Sequence, residues 1–274
     1  MTSSLRNHSG PRWDYDKHEF KEHDPFCEPG LISIIFIAKG RGDLTRLCLE
    51  STERACKAYG GEVEWIFIEN GLDEENYQTF MDFDATRKVV VRQDNFGINH
   101  ALNQAWALSR GEFCMVHEND WLNADPQFNF LQVCEDIFAR ESNVGIIQLR
   151  SITDHHENWG FGKPDYSPWS CGKPLLKAND IEVWDEKTKC GHEYLVSDFA
   201  NGFNNNPCLI RKELFRQCGF MSEPKIGTDP RHDETHYQHI VANTAWSTAH
   251  INHDVYYHAG GAARELFVQT GRLV

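Results

Sequence analysis

This 274-residue sequence lacks most of the features that assign a chain to a special class. No stretch approaches the ~18 consecutive apolar residues of a membrane-spanning helix. Its best apolar run, Leu31 to Ala38, suits a buried strand instead. The segment Met1–Phe26 is polar and charged, with His8, His18 and His23, and contains no signal-peptide core. Nine cysteines are scattered without a CxxC pair, which predicts buried thiols in a reducing compartment rather than a disulfide framework. These absences together predict a soluble, cytoplasmic chain. Positive charge is also scarce: 27 Lys and Arg stand against 41 Asp and Glu, a formal net charge of −14. That balance excludes a broad nucleic-acid footprint and disfavours anionic membrane surfaces. A phosphorylated ligand then requires a metal or a local patch to offset repulsion.

Compositionally the chain is an ordinary globular one, with 40% apolar, 12% aromatic and 25% charged residues. Residues 1–29 carry Pro11, Pro25 and Pro29 and no periodicity, which predicts an irregular arm. At Leu31 the pattern changes to a β-branched apolar run, as in a strand covered on both faces. Gly40-Arg41-Gly42 reads as a turn and Asp43 as a helix cap, and Leu44, Leu47, Cys48, Ser51 and Ala55 keep helical spacing. The unit then recurs. Strands are predicted at Val63–Ile68, Lys88–Val91 and Phe113–Val116, with helices around Tyr77–Phe80 and Leu102–Leu108 between them. Strand–helix alternation at this spacing implies an α/β fold with a mostly parallel central sheet flanked by helices. Ligands of such sheets bind beyond the carboxyl ends of the strands, where the sequence places Lys39–Arg41, Glu69–Gly71 and Glu118–Asp120.

After Asp120 the sequence predicts a helix near Pro126–Arg140, a strand at Gly145–Leu149, and helices near Lys212–Cys218 and Asp233–Asn243. Residues 154–194 are rich in Trp, Gly, Pro and Lys with no clear period. No internal repeat or linker divides the chain, so one domain is expected. Its parts are the arm (1–29), a ligand-binding half (30–122) and a second half (123–274).

Glu118-Asn119-Asp120 is the strongest constellation. Two carboxylates one residue apart, at the tip of a buried strand, can turn toward one hard cation, and Mg2+ or Mn2+ so held is the usual design for a nucleoside diphosphate. In this context Leu31–Leu122 resembles the nucleotide-sugar-binding half of a GT-A glycosyltransferase, close to glycosyltransferase family 2. SIIFIAKGRGDLTRLCLEST (33–52), WIFIENG (65–71), NFGINHALNQAW (95–106) and GEFCMVHENDW (111–121) carry the likeness. The resemblance implies a single GT-A (Rossmann-like nucleotide-diphospho-sugar transferase) domain. Within it Ala38, Lys39, Arg41, Glu69, Asn70, Gly71, Asn95, Gly97, Asn103, Glu118 and Asn119 would line the nucleotide-sugar site, with Glu69 against the uracil. Asp120 would be the firmest metal ligand, Glu118 would support it in place of the family's first Asp, and His258 would supply an imidazole. Imidazole beside carboxylates favours Mn2+ over Mg2+.

The second half resembles the family more loosely. Gly202-Phe203-Asn204-Asn205-Asn206-Pro207-Cys208-Leu209-Ile210-Arg211-Lys212 resembles the segment that floors the acceptor site, and Asn201 stands just before it. Asp233 and then Glu234 stand where the family has its catalytic base, the register leaving both open. Trp159 and Trp169 are candidates for stacking on an acceptor sugar, since a pyranose presents an apolar face. The resemblance implies an inverting transfer of a single sugar from a nucleotide donor, UDP-linked by expectation, to a glycan hydroxyl. The processive Q-x-x-R-W signature is absent. Two other readings compete, a catalytically silent GT-A module that binds glycan or nucleotide, and a nucleotidyltransferase of related fold. A dinucleotide site is disfavoured because Thr45 stands where G-x-G-x-x-G needs its third small residue. A zinc hydrolase is disfavoured because His232-Asp233-Glu234-Thr235-His236 displaces the glutamate of HExxH by one position.

Overall fold

The computed structural model describes residues 13–14, 19–20, 27–71, 74–91, 97–150, 181–185, 190–197, 203, 207–223, 234–251 and 253–259. Chain order gives strands β1 (Trp13–Asp14), β2 (Glu19–Phe20), β3 (Glu28–Ala38), β4 (Val63–Asn70), β5 (Arg87–Val91), β6 (Gly111–Glu118) and β7 (Trp121–Asn123), then β8 (Val144–Gln148), β9 (Ile181–Asp185), β10 (Cys190–Ser197), β11 (Cys208–Arg211), β12 (Ser247–Ile251) and β13 (Tyr256–His258). The helices are α1 (Gly42–Cys56), α2 (Glu74–Asp82), α3 (Ile98–Leu108), α4 (Phe130–Arg140), α5 (Lys212–Cys218) and α6 (Glu234–Ala242).

Among the described residues nine strands form one sheet, in the order β5-β4-β3-β6-β11-β8-β12-β10-β9. The ladders β5–β4, β4–β3 and β3–β6 are parallel, β11 runs against both β6 and β8, and β12 returns parallel to β8. The sheet is thus mostly parallel, with β11 reversed at its centre and β10 reversed near its far edge. Two-stranded ladders join β1 to β2 and β7 to β13.

Alternation along β3 explains the layering. Ile32, Ile34 and Phe36 face α1, α2 and α4, whereas Ile35 and Ile37 face α3, α5 and α6. All five are essentially buried, and each such side chain stabilises the fold by about 1.5–3 kcal/mol. On the second face Trp106 lies over Phe215, ring centroids 3.6 Å apart, tying α3 to α5. On the first face Phe113 stacks on Phe138 at 4.6 Å, and Arg211 covers the Phe138 ring.

The predicted strand–helix alternation is present; its strands extend by one to three residues beyond the expected ranges, and α3 begins four residues earlier, at Ile98. Three departures stand out. Asp43 does not cap α1: the N-cap is Arg41, and Asp43 lies in the first turn, where a negative charge complements the helix dipole. Residues 154–194, read as lacking a strong period, contain β9 and the start of β10, which pair antiparallel. The strand β12 was not anticipated; it sits beside β8, buried at Ser247, Thr248, Ala249 and Ile251. None of the seven described cysteines outside β10 forms a disulfide, and all but Cys27 are buried. Among the described residues no helix is long and apolar enough to cross a membrane.

Candidate active site

The site gathers where β3, β4 and β6 end. Register sets Ala38 beside Glu69 and Ile37 beside Glu118, so three strand tips stand at one level of the sheet. Beyond Ala38 the chain makes two left-handed residues in succession, Gly40 at φ 58° and Arg41 at φ 58°, ψ 46°. Glycine adopts that conformation freely, but a residue with a Cβ does so at a cost of about 1 kcal/mol. Arg41 is the one non-glycine residue with positive φ among the described residues.

Hydrogen bonds hold this turn. The Gly40 carbonyl accepts from Asn119 Nδ2 at 2.8 Å and from Asn76 Nδ2 at 3.0 Å. Asn119 Nδ2 also donates to Thr45 Oγ1 at 2.8 Å, and Thr45 Oγ1 donates to the Arg41 carbonyl at 3.1 Å. Asn76, Thr45 and Asn119 are all buried. Helix α2 closes against the turn: a Cβ on Gly42 would lie 2.4 Å from the Glu75 carbonyl, while Gly42 N donates to Glu75 Oε2 at 3.1 Å.

The fixed backbone delivers the Arg41 guanidinium to Asp120, where Nη1 donates to Oδ2. His258 Nε2 lies 3.1 Å from the same oxygen. The other oxygen, Oδ1, is buried and has no hydrogen-bond partner among the described residues. Burial by itself would push the Asp120 carboxyl up; the His258 imidazole and the Arg41 guanidinium outweigh it and hold the group below the ordinary carboxylate value. Asp120 is therefore an ionised, nearly dry carboxylate with one lone-pair face unused. A buried acceptor of that kind is costly unless a donor or a cation meets it.

Those donors fit a divalent cation. One carboxylate and one imidazole suit Mn2+, and few protein ligands are needed where a diphosphate supplies the rest. Among the described residues no group of three or more His, Cys, Asp or Glu side chains is gathered around a common point. Asp120 and His258 thus come together, while Glu118 is not part of a three-ligand cluster. Glu118 closes β6 and is partly exposed.

Other predicted residues sort unevenly. Lys39 is exposed at the rim, Glu69 and Asn70 are buried at the tip of β4, and Gly71 follows at φ 140°. Asn70 Nδ2 reaches the Gly97 carbonyl at 3.5 Å, bringing the N-terminus of α3 to the same edge, and Asn70 Oδ1 is buried without a partner among the described residues. Asn119 and Asn103 were expected to line the nucleotide-sugar site, and the structure spends both amides internally. Asn119 pins the Gly40 turn. Asn103 donates to the Met221 carbonyl and to Glu223 Oε1, and accepts from Met221 N. Asp233, Asn95, Trp159, Trp169, Asn201 and Gly202 lie outside the described residues, and Glu234 opens α6.

Sequence reading missed Asn76, Thr45 and Asn99. Asn76 hides in the acidic helix α2, and its only signal is an amide four residues before the buried Phe80. Thr45 breaks a dinucleotide fingerprint in the sequence, and nothing local marks its bond to Asn119, 74 residues later. Asn99 Nδ2, on α3, donates to the Ser222 carbonyl at 2.9 Å.

No protein-family model matches the sequence, and no curated protein matches it. Solved structures do. The S. aureus protein TarS, residues 1–349 in complex with UDP, superposes with a TM-score of 0.55 at 12% identity, covering 82% of this chain and 59% of that one. The mannosyltransferase PcManGT from Pyrobaculum calidifontis, in complex with GDP-Man and Mn2+, gives 0.54 at 13% identity, covering 84% and 57%. The chain therefore spans less than two thirds of the length of these structures. The fold they share with it is GT-A.

Proposed function

We propose that this chain is a divalent-metal-dependent glycosyltransferase that moves one sugar from a nucleotide donor to a glycan hydroxyl with inversion at the anomeric carbon. The observation that carries the reading is Asp120, an ionised buried carboxylate whose Oδ1 is unmet among the described residues and whose Oδ2 lies beside His258, at the carboxyl edge of a GT-A sheet. Asp120 and His258 would hold Mn2+ or Mg2+, with Glu118 close by in the chain. The cation would offset charge developing on the departing diphosphate. Support for the ligand class comes from TarS, solved with UDP, and PcManGT, solved with GDP-Man and Mn2+.

The chain's own residues divide the remaining work. Glu69, Asn70 and Gly71 sit at the tip of β4, where the base and ribose of a UDP donor would lie. Lys39 and Arg41 provide positive charge at the rim of an otherwise acidic protein. A carboxylate on the far side of the sugar from its leaving group would take the acceptor proton, typically worth 10²–10⁴-fold, and Asp233 or Glu234 is assigned that role. A single base opposite the leaving group leads to direct displacement and thus inversion.

The test is donor turnover across a panel of nucleotide sugars, with Mn2+, Mg2+ or EDTA. Nucleotide release should require the metal and fall by at least a hundredfold in Asp120→Asn. Turnover undiminished by EDTA would falsify the metal assignment. The silent-module reading draws on the Arg41–Asp120 contact, which already neutralises the carboxylate. Nucleotide binding without transfer to any acceptor would favour it.

A further inference from the structure

Asp120 Oδ2 already carries two partners, the Arg41 guanidinium and the His258 imidazole. A cation held by this carboxylate and this imidazole, whichever carboxylate oxygen it takes, sits close to the guanidinium on Oδ2, which repels it. The position of Arg41 is not that of a surface side chain that happened to fold over. Its backbone is held left-handed by a carbonyl clamped between two buried amides, and the left-handed turn aims the side chain at Asp120. Yet the Arg41 side chain is 42% exposed, against 9% for that of Asp120. A long flexible cation rooted on a rigid turn, with open space beside it, can leave.

We propose that Arg41 is a displaceable guardian of the metal carboxylate. Without nucleotide it holds Asp120 and opposes cation binding; when metal and diphosphate arrive together, it leaves Asp120 and pairs with the diphosphate. The inference rests on the proposed reading of Asp120 as a metal ligand. It makes metal and donor binding mutually dependent, so that a bare cation is not retained. Thermodynamic linkage then requires that the nucleotide raise metal affinity by the same factor as the metal raises nucleotide affinity.

Arg41→Gly is the informative variant, because glycine takes φ 58° without strain and the turn survives; Arg41→Asn, also tolerant of that region, duplicates it. Mn2+ binding is measured by calorimetry and electron paramagnetic resonance, with and without UDP, beside Asp120→Asn. Removing the guanidinium should tighten binding of Mn2+ alone by about tenfold, the scale of a contact charge repulsion under partial screening. It should also weaken UDP binding in the presence of Mn2+. Millimolar guanidinium, against ionic-strength-matched potassium chloride, should restore the weaker Mn2+ binding in Arg41→Gly and leave the wild type unchanged. That rescue separates a specific contact from the loss of a distant charge.

Equal or weaker binding of Mn2+ by Arg41→Gly overturns the guardian role; if Asp120→Asn meanwhile loses Mn2+, the metal reading stands without it. A tightening that guanidinium does not reverse also overturns it, leaving a general field effect. Absence of Mn2+ binding in every variant overturns both readings.

Discussion

Asp120 and His258 are 138 residues apart in the chain, yet His258 Nε2 lies 3.1 Å from Asp120 Oδ2. A short ladder closes that gap. β13 runs antiparallel to β7 and pairs His258 with Trp121, while Ala259 N donates to the Asp120 carbonyl at 2.7 Å. The two ends of the fold meet at the carboxylate through backbone bonds, so the imidazole arrives on a rigid element.

His258→Ala should therefore impair the metal site without unfolding the protein. β13 would keep its pairing, since the lost group is a side chain only. Mn2+ affinity in the presence of nucleotide is expected to fall by at least roughly 10–100-fold, since losing a ligand costs no less than losing a group that orients one. Calorimetric titration, with thermal unfolding as a control for integrity, checks this. Unchanged affinity would remove His258 from the site.

The Gly40 turn supports a second expectation. Asn119→Ala withdraws one of two amide donors from the Gly40 carbonyl and leaves Thr45 Oγ1 with less to bond. The cost should be about 1–3 kcal/mol of stability, the usual penalty for an unmet buried polar group. Asn119→Asp should cost more, because it brings a carboxylate up to a carbonyl. Urea unfolding of both variants measures the difference, and equal costs would contradict the assigned hydrogen bonds.

The fold is legible in the sequence where one local signal decides the outcome. A doubly covered strand such as Leu31–Ala38 needs continuous β-branched apolar residues, and that requirement is visible without neighbours. Three such strands end at Ala38, Asn70 and Glu118, so the level of the site was legible too. Side-chain direction was not. Asn119 sits between two acidic residues and invites a ligand role, but a turn carbonyl 79 residues earlier claims its amide. Asn103 follows a family-like helix start and bonds a segment 118 residues later. Neither partner leaves a mark in the local sequence. β12 escaped notice because Ser247, Thr248 and His250 dilute its apolar character, while its place between β8 and β10 buries it regardless.

Asn103 leads to a third prediction, on stability. Its amide makes three bonds to residues 221 and 223, at 2.9, 2.5 and 2.9 Å, and His100 Nδ1 adds a contact to Glu223 Oε2 at 2.8 Å. Asn103→Ala should destabilise the protein by about 2–3 kcal/mol. Glu223→Gln should cost less, because the Met221 bonds survive it. A double-mutant cycle of the two should show a coupling of about 0.5–3 kcal/mol. Strict additivity would mean that the contact between them carries no energy.

The last prediction concerns acid. His117 is fully buried in β6, with Nε2 3.0 Å from Thr52 Oγ1 and its ring stacked on Phe36 at 5.2 Å. Burial, the largest influence, pushes its imidazolium pKa down to about 3; the backbone at Glu118 and the charge of Asp120 oppose this only in part. The sign follows directly. In the unfolded chain the ring takes a proton near pH 6.5, whereas in the folded protein it stays neutral until about pH 3. Its contribution to stability is fully present above pH ~6.5 and is lost as pH falls toward the folded value. Between pH 7 and pH 5 the loss from this one ring is about 2 kcal/mol. His250, pushed down to about 4 by burial first and by Arg150 second, acts in the same direction. His117→Gln keeps a side chain able to bond Thr52 and removes one of the two titrations. Urea unfolding at a series of pH values from 7 to 5 should show a shallower decline for the variant than for the wild type. Parallel curves would mean that His117 takes up its proton at the same pH in the folded protein as in the unfolded chain.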